Sequence, residues 1–241
     1  MKKLLSIFGI LLLLGAVILG THTFVQRKKN HEIAVKPSDA VTNSQNTEQQ
    51  QAKFNKTKYS IDDPSSIWVI ANKNRPLNPL TYSPSDLVEV GNNQQMRTEA
   101  ATALTTLIAG AKAEGLTIQA LSGYRSYSKQ VTVYNNEVSK YGQAVADSES
   151  AKPGYSEHQT GLAVDVGGGG CGIEDCFGET AEGKWLALNA YRYGFIVRYT
   201  AEKQSITGYR AEPWHIRYIG TELSNEMHEQ NVTTLEEFFG L

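Results

Sequence analysis

The sequence predicts an α+β domain in which helices pack around a small antiparallel sheet. Segments with the apolar spacing of helices come first, mostly short strand-like segments follow, and irregular connections join them. The chain has 241 residues, of which 40% are hydrophobic, so it can bury a sizeable core and is too apolar to be wholly disordered. The composition stays globular over residues 59–241, which we assign as the folded domain.

The first 29 residues are predicted to form a signal anchor that crosses a membrane once. Lys2 and Lys3 precede an uncharged run of 22 residues (4–25), and cations follow at 27–29. A helix needs ~20 apolar residues to span a bilayer. A cleaved signal peptide is the alternative, but the small-residue pattern of a cleavage site is poor. Either form places the rest of the chain on the extracytoplasmic side of the cell membrane.

Residues 30–58 are predicted to be a disordered polar linker. Residues 42–51 read TNSQNTEQQQ, a tract with almost nothing to bury. We expect this linker to act as a flexible spacer that holds the folded domain away from the membrane.

Helices are predicted where apolar residues recur at helical spacing. The first covers residues 96–114, and the second covers 126–141 and carries a stripe of tyrosine and valine side chains expected in the core. A third helix is predicted at 180–193 and a fourth at 221–230, the latter with His228 at the surface. The stripe of the second helix consists of Tyr127, Val131, Tyr134, Val138 and Tyr141.

Strands are predicted from short runs that are rich in β-branched and aromatic residues. They cover residues 117–121, 162–166, 195–199 and 214–219. Gly194 separates the third strand from the helix before it, since glycine commonly ends helices.

Charge and cysteine content exclude several functional classes. Lys and Arg number 23 against 25 Asp and Glu, a net charge of −2, so no surplus of cations is available to hold a nucleic acid. Two cysteines are too few for a disulfide scaffold or a four-cysteine zinc site. Chemistry must therefore come mainly from His, Asp, Glu and Arg. Nothing in the sequence demands more than a monomer.

Residues 156–166, with the sequence SEHQTGLAVDV, carry the first half of a predicted metal site. Side chains alternate along a strand, so Asp165 points away from the face that its neighbouring valines share. Gly161 allows a tight backbone turn, which lets His158 fold back toward Asp165.

The second half of the predicted site is Glu212-Pro213-Trp214-His215. Pro213 forces extended geometry on Glu212, which excludes a helical His-Glu-x-x-His site. Strict strand alternation would point Glu212 and His215 to opposite faces, so a bend at Pro213 is required if both serve one site.

Two imidazoles and one carboxylate form the ligand set typical of a catalytic zinc site with an open fourth position. His158, Asp165 and His215 supply this set. Glu212 is the nearby carboxylate that could accept a proton from a zinc-bound water, whose pKa falls to about 7.

These motifs resemble the VanY-type zinc D-alanyl-D-alanine carboxypeptidases, a family that includes related L,D-carboxypeptidases. The resemblance covers most of residues 67–220 and rests on segments 122–126, 156–165, 177–186 and 212–215, in the family's order. It implies one zinc ion bound by His158, Asp165 and His215, with Glu212 as general base and later acid. It further implies that Arg125 polarises the scissile carbonyl and stabilises the oxyanion, and that Gln130, Ser156 and Arg125 contact the substrate.

The activity that this resemblance implies is removal of the C-terminal D-alanine from peptidoglycan stem peptides by a membrane-tethered enzyme. Alternatives within the family are an L,D-carboxypeptidase acting on tetrapeptide stems and a cross-link endopeptidase. A non-catalytic wall-binding module would be expected to lack Glu212 or a ligand, and this chain retains all of them. A structural zinc domain would need a fourth protein ligand, and the sequence offers three.

A glycine run at 167–170 and a cysteine pair depart from the simplest family pattern. The run lacks the Lys-Ser/Thr ending and the helix of a phosphate-binding loop. In an extracytoplasmic loop, Cys171 and Cys176 are expected to form a disulfide that stiffens the wall beside Asp165. Free thiols or additional metal ligands are the alternatives.

Overall fold

A computed structural model describes residues 53–241 of the chain. The signal anchor predicted at 1–29, and the linker predicted at 30–58 apart from its last six residues, lie outside the described residues. Within 53–241, no helix combines the length and the apolar character needed to cross a membrane. The last residues of the predicted linker contact the domain, since the Phe54 ring stacks on that of Trp68 with centroids 5.6 Å apart.

A four-stranded antiparallel sheet forms the centre of the described residues, and a separate two-stranded hairpin precedes it. The spatial order of the large sheet is β3-β4-β6-β5, and every neighbouring pair is antiparallel. This architecture confirms the predicted α+β class. The strands are β1 (Leu87–Glu89), β2 (Gln95–Arg97), β3 (Gln119–Ser122), β4 (Ala163–Gly167), β5 (Phe195–Tyr199) and β6 (Glu212–Tyr218).

Seven α-helices surround the sheet within residues 53–241, joined in places by short 3₁₀ helices. The four predicted helices are all present, and three shorter ones, at 143–149, 204–207 and 235–239, were not predicted. The helices are α1 (Thr98–Ala113), α2 (Tyr127–Tyr141), α3 (Gln143–Glu149), α4 (Ala181–Asn189), α5 (Gln204–Thr207), α6 (Thr221–Glu229) and α7 (Leu235–Phe239).

Helix α1 begins two residues later than its apolar spacing predicts. Met96 and Arg97 belong to strand β2, which pairs with β1, and the backbone N–H of Arg97 donates to the carbonyl of Gly161 at 2.9 Å. These tertiary hydrogen bonds hold Arg97 in an extended conformation, so the helix starts at Thr98. Pairing with a distant segment has here overridden local helical periodicity.

The prediction that the aromatic stripe of α2 packs in the core is confirmed only in part. Tyr134 is buried, whereas Tyr141 is 49% exposed. The helix packs mainly on the short α3, and a different part of its surface, with Gln130 and Val133, borders a cavity. Tyr134 is therefore buried beside α3, where its hydroxyl donates to Asp147, whereas Tyr141 lies in solvent.

The two faces of the large sheet differ in chemistry because strand side chains alternate. One face packs against α1 and α4 in an apolar core that includes Val164, Ile216, Leu104 and Leu186. The opposite face carries charged side chains of β5 and β6, although these are equally buried. It is this polar face that positions the candidate site.

A buried ion network occupies the polar face. Arg198 on β5 and Arg217 on β6 both donate to Glu157 Oε1 at 2.8 Å. Arg198 also donates to both carboxylate oxygens of Glu236 on α7, at 2.7 and 2.9 Å. Both guanidinium groups are fully buried, so these bonds supply the compensation that buried charges require.

We predict that Glu236→Gln lowers the free energy of unfolding by about 3 kcal/mol, because it leaves part of the buried charge of Arg198 uncompensated. Burial raises the pKa of Glu236, but Arg198 and Asn72 outweigh this and hold the pKa below its ordinary value of 4.5. The stabilisation is thus present above pH 4.5 and is lost as the pH falls through the folded-state pKa. Urea unfolding of both proteins across this pH range measures the difference.

The neighbouring residue provides the control for this prediction. Glu237 pairs with Lys203 at the surface, with both side chains about one-third exposed, and Glu237→Gln should cost less than about 1 kcal/mol. Equal costs for the two substitutions at neutral pH would contradict the assigned contribution of the buried network.

Candidate active site

The backbone of the polar face brings three potential metal ligands together. Asp165 and His215 are directly opposite each other in the β4–β6 pairing, so their side chains share a face. His158 lies in the 3₁₀ helix Glu157–Thr160 just before β4, and Gly161 follows with φ 69°, a left-handed turn that suits glycine. One ligand atom from each of the three residues lies within 4.8 Å of the other two.

The orientation of each imidazole is fixed by a partner on its far side. His158 Nδ1 lies 2.8 Å from the carbonyl oxygen of Gly123, which leaves Nε2 facing Asp165 Oδ2 at 3.3 Å. His215 Nδ1 faces Asp165 Oδ1 at 2.8 Å, while its Nε2 lies 3.4 Å from Glu157 Oε2. Such outer partners are the usual means of setting the tautomer and direction of a metal-binding histidine.

This donor set fits a divalent metal ion such as zinc. Two imidazole nitrogens and one carboxylate converge, all three residues are buried, and the far nitrogens are already held by other groups. The surroundings also favour a cation. Burial alone would lower the pKa of His215, but the hydrogen bonds to Asp165 and Glu157 outweigh it and raise the pKa to about 10.

Glu212 reaches the same site through an irregularity in β6. Val197 of β5 pairs with Ile216 of β6, and Tyr199 pairs with Glu212. One residue of β5 lies between these two pairs, whereas three residues of β6 do. This bulge covers 213–215 and removes the strict alternation, as the required bend at Pro213 anticipated. Glu212 Oε2 consequently lies 3.9 Å from His215 Nδ1. Burial, assisted by Asp165 and opposed by His215, raises the pKa of Glu212 to about 7.

Arg125 lies beside the ligands without forming an ion pair among the residues described. Its guanidinium donates to Gln130 Oε1 and to Ser122 Oγ, each at 3.0 Å, and its backbone N–H donates to the His158 carbonyl. Burial lowers the pKa of Arg125, and Asp165 and Glu212 oppose that shift. The guanidinium is thus held by neutral partners, which leaves its charge available to the cavity.

The two remaining predicted residues, Gln130 and Ser156, differ in their hydrogen bonds. The carbonyl oxygen of Gln130 is engaged by Arg125, and its amide donates to the Ala151 carbonyl at 2.7 Å. Gln130 therefore orients Arg125 as well as lining the cavity. Ser156 also lines the cavity, and no residue within 53–241 forms a hydrogen bond with its hydroxyl.

All seven residues predicted for the site line one cavity of about 300 Å³. The ligands lie at its buried end, and its sides come from α2, the end of α3 and the loop after β4. The predicted residues are Arg125, Gln130, Ser156, His158, Asp165, Glu212 and His215.

Several residues of this cavity were not predicted, among them Glu157. It holds His215 and both buried arginines, and its position next to His158 was the available signal. Tyr199 was assigned only to a strand, yet its ring stacks on His215 with centroids 5.0 Å apart. Ile173 and Glu149 had no recognisable pattern, since both depend on how distant loops meet.

The cysteine pair takes the first of its three predicted alternatives. Cys171 and Cys176 are joined by a disulfide, with Cα atoms 6.0 Å apart. The loop that they close lies directly after β4, and Ile173 within it lines the cavity. The pair therefore does not contribute thiol ligands to the candidate metal site.

Comparison with known proteins identifies the family. The family model of VanY, D-alanyl-D-alanine carboxypeptidase, matches residues 93–221. The protein YodJ of Bacillus subtilis is 44% identical over 191 residues, which are 75% of this chain and 69% of that protein.

Two solved structures extend the comparison. The LD-carboxypeptidase LdcB is 43% identical, with a TM-score of 0.69 over 73% of this chain and 87% of that one. A variant of the vancomycin-resistance D,D-pentapeptidase VanY in complex with Zn(II) is 33% identical, with a TM-score of 0.63 over 71% and 97%. These similarities confirm the resemblance found in the motifs: the chain belongs to the VanY family of D-alanyl-D-alanine carboxypeptidases.

Proposed function

We propose that the chain is a zinc-dependent carboxypeptidase that removes the C-terminal D-alanine from peptidoglycan stem peptides. The observation that carries the proposal is the convergence of His158, Asp165 and His215 with Glu212 and Arg125 at the buried end of one cavity. Family membership and the Zn(II) complex of the VanY relative support the same assignment.

His158 Nε2, His215 Nδ1 and the Asp165 carboxylate would hold the zinc ion. When bound, zinc supplies a Lewis acid that polarises a carbonyl group and lowers the pKa of water. Three protein ligands leave one position open, which favours a catalytic over a purely structural site. Glu157 and the Gly123 carbonyl keep the two imidazoles in the ligating orientation.

Glu212 is the proposed general base and general acid. Its carboxylate accepts a proton from the attacking water and later donates it to the leaving amine of the terminal alanine. General acid–base catalysis works best when the pKa of the group lies near the working pH, and burial of Glu212 raises its pKa in that direction. The presence of this residue also separates the chain from a non-catalytic wall-binding module.

Arg125 stabilises negative charge on the carbonyl oxygen of the scissile bond. The guanidinium is fixed by Gln130 and Ser122 before substrate arrives, so little reorganisation is needed as the charge develops. Ser156, whose hydroxyl is directed to no residue within 53–241, is available to the substrate peptide.

A specific observation favours an L,D-carboxypeptidase acting on tetrapeptide stems as the second candidate. Identity to LdcB is 43%, against 33% to the VanY D,D-pentapeptidase. Both reactions release one D-alanine and need the same groups at the buried end. They differ in the configuration of the residue before the scissile bond, and therefore in the cavity wall that holds it.

We also place the enzyme on the outer side of the cell membrane, as a monomer tethered by the predicted anchor. The substrate is extracytoplasmic, and the Cys171–Cys176 disulfide suits an oxidising compartment. Protease treatment of intact cells, followed by immunoblotting, would degrade the domain if this placement is correct and spare it if the domain is cytoplasmic.

The substrate assignment is tested by mass spectrometry of stem peptides incubated with zinc-loaded residues 53–241. Loss of one alanine from a pentapeptide ending in D-Ala-D-Ala, abolished by a chelator, is the expected result. Loss from a tetrapeptide alone would establish the second candidate. No cleavage of either peptide would contradict the carboxypeptidase assignment.

We expect Glu212→Gln to reduce kcat by 10² to 10⁴-fold, the range typical of general acid–base groups, while zinc content stays at one ion per chain. The amide keeps the shape of the side chain but cannot take up the proton. Turnover with the cleavable stem peptide and zinc analysis of the purified protein measure the two effects. Glu179→Gln, at an exposed carboxylate outside the cavity, should retain wild-type turnover.

We expect Arg125→Ala to lower kcat about 10² to 10³-fold with zinc still bound, by analogy with the loss of an oxyanion-hole donor. The matched control is Arg192→Ala, at an exposed arginine that does not line the cavity. A fall in zinc content that matches the fall in activity would show that Arg125 supports the metal site instead.

A further inference from the structure

The loop closed by the disulfide, residues 171–176, is held firmly at both ends; we call it the strap. Gly168 and Cys171 exchange two backbone hydrogen bonds of 3.0 Å, which fixes the start of the strap just beyond β4. Its end is covalently tied by Cys176 to Cys171, and Phe177, the next residue, is fully buried. The middle of the strap, at Ile173, therefore has a defined position.

A cation joins the strap to the other side of the cavity. Arg210 Nη1 donates to Asp175 Oδ1 of the strap at 2.7 Å, and its Nε lies 2.7 Å from Glu149 Oε2 at the end of α3. The same guanidinium packs over the ring of Trp214, 5.3 Å from its centroid. Glu149 and Trp214 both line the cavity, so Arg210 braces the strap against the cavity walls.

Ile173 presents a large apolar side chain to the cavity while remaining 42% exposed. The metal ligands of the same cavity are only 3–6% exposed. The exposed fraction of the side chains thus increases from the ligands to Ile173. The ligands therefore mark the closed end of the cavity, and Ile173 lies at its open end, which we call the mouth. An isoleucine held in place at a mouth, with solvent beside it, has apolar surface that a bound ligand could cover.

We propose that the strap is part of the substrate site, with Ile173 contacting apolar portions of the stem peptide that precede its last two residues. The inference rests on the proposed function, because a carboxypeptidase places the C-terminal residue at the buried reacting groups. The proposed reacting groups lie at the closed end of the cavity, so the residues that precede the scissile bond extend toward its open end. The preceding residues must leave through the mouth, where Ile173 lies.

The disulfide and Arg210 restrict the strap before the peptide binds, which strengthens the contact with Ile173. Gly168, Gly169 and Gly170 lead into the strap and Gly172 lies within it, and glycine-rich backbone loses much conformational freedom on ordering. Covalent closure restricts the strap before substrate binds, so less entropy is lost in the complex. Ile173 is therefore the residue that contacts the substrate, and the two cysteines are positioning residues that act through it.

The test measures peptide binding separately from turnover. Calorimetry would measure Kd for two zinc-loaded proteins, Glu212→Gln and Glu212→Gln combined with Ile173→Ala. The ligands are the stem pentapeptide, the stem tetrapeptide and, for each of them, the N-acetyl dipeptide of its last two residues. Kd for the bound stem peptide should rise about tenfold, as expected for loss of roughly two buried methylene equivalents, and Kd for its dipeptide should not change. Ile206→Ala, 40% exposed and outside the cavity, is the matched control.

A second variant tests the covalent closure. Cys171→Ser combined with Cys176→Ser should weaken binding of the stem peptide more than that of its dipeptide, with zinc content unchanged. Equal effects on stem peptide and dipeptide, or no effect of Ile173→Ala, would overturn the role of the strap while leaving the proposed function intact. A Glu212→Gln protein that binds none of these peptides would overturn both.

Discussion

The buried carboxylate of Glu157 is the interaction on which the candidate site depends. One of its oxygens accepts from Arg198 and Arg217, and the other faces His215 Nε2. Burial would raise the pKa of Glu157, but the two arginines hold it well below its usual range, so the group stays ionised. This carboxylate thereby pairs with two buried arginines, of which Arg198 also pairs with Glu236, and it directs the imidazole of His215 toward Asp165.

The same network connects the site to parts of the chain far from it in sequence. Arg198 donates hydrogen bonds to Glu236 in helix α7, and Glu236 also accepts from the Asn72 amide near the start of the domain. Arg217 also donates to the backbone carbonyl of Val69. The ligand geometry is therefore supported by both ends of the folded domain, with two of the three ligands on the buried sheet and His158 in the short helix before β4.

The sequence allowed prediction of features that are encoded locally. Strand β5 could be placed at 195–199, and His158, Asp165 and His215 could be grouped, because short spacings and residue chemistry carry that information. Glu157 could not be assigned, since its arginine partners lie 41 and 60 residues away in the chain. The start of α1 and the surroundings of α2 likewise depend on contacts between distant segments, which periodicity does not report.

Different parts of the fold support the two ends of the cavity. The buried end holds the proposed reacting groups, and the mouth is where different substrates would be distinguished. At the buried end, strand pairing and the Glu157 network hold the proposed metal ligands, which either candidate activity would use. At the mouth, the walls are a disulfide-closed loop and the end of α3, joined by Arg210. Loops can vary without disturbing a rigid scaffold, so substrate choice can change at the mouth while the reacting groups stay in place. In this chain the disulfide restricts one of the walls at the mouth covalently.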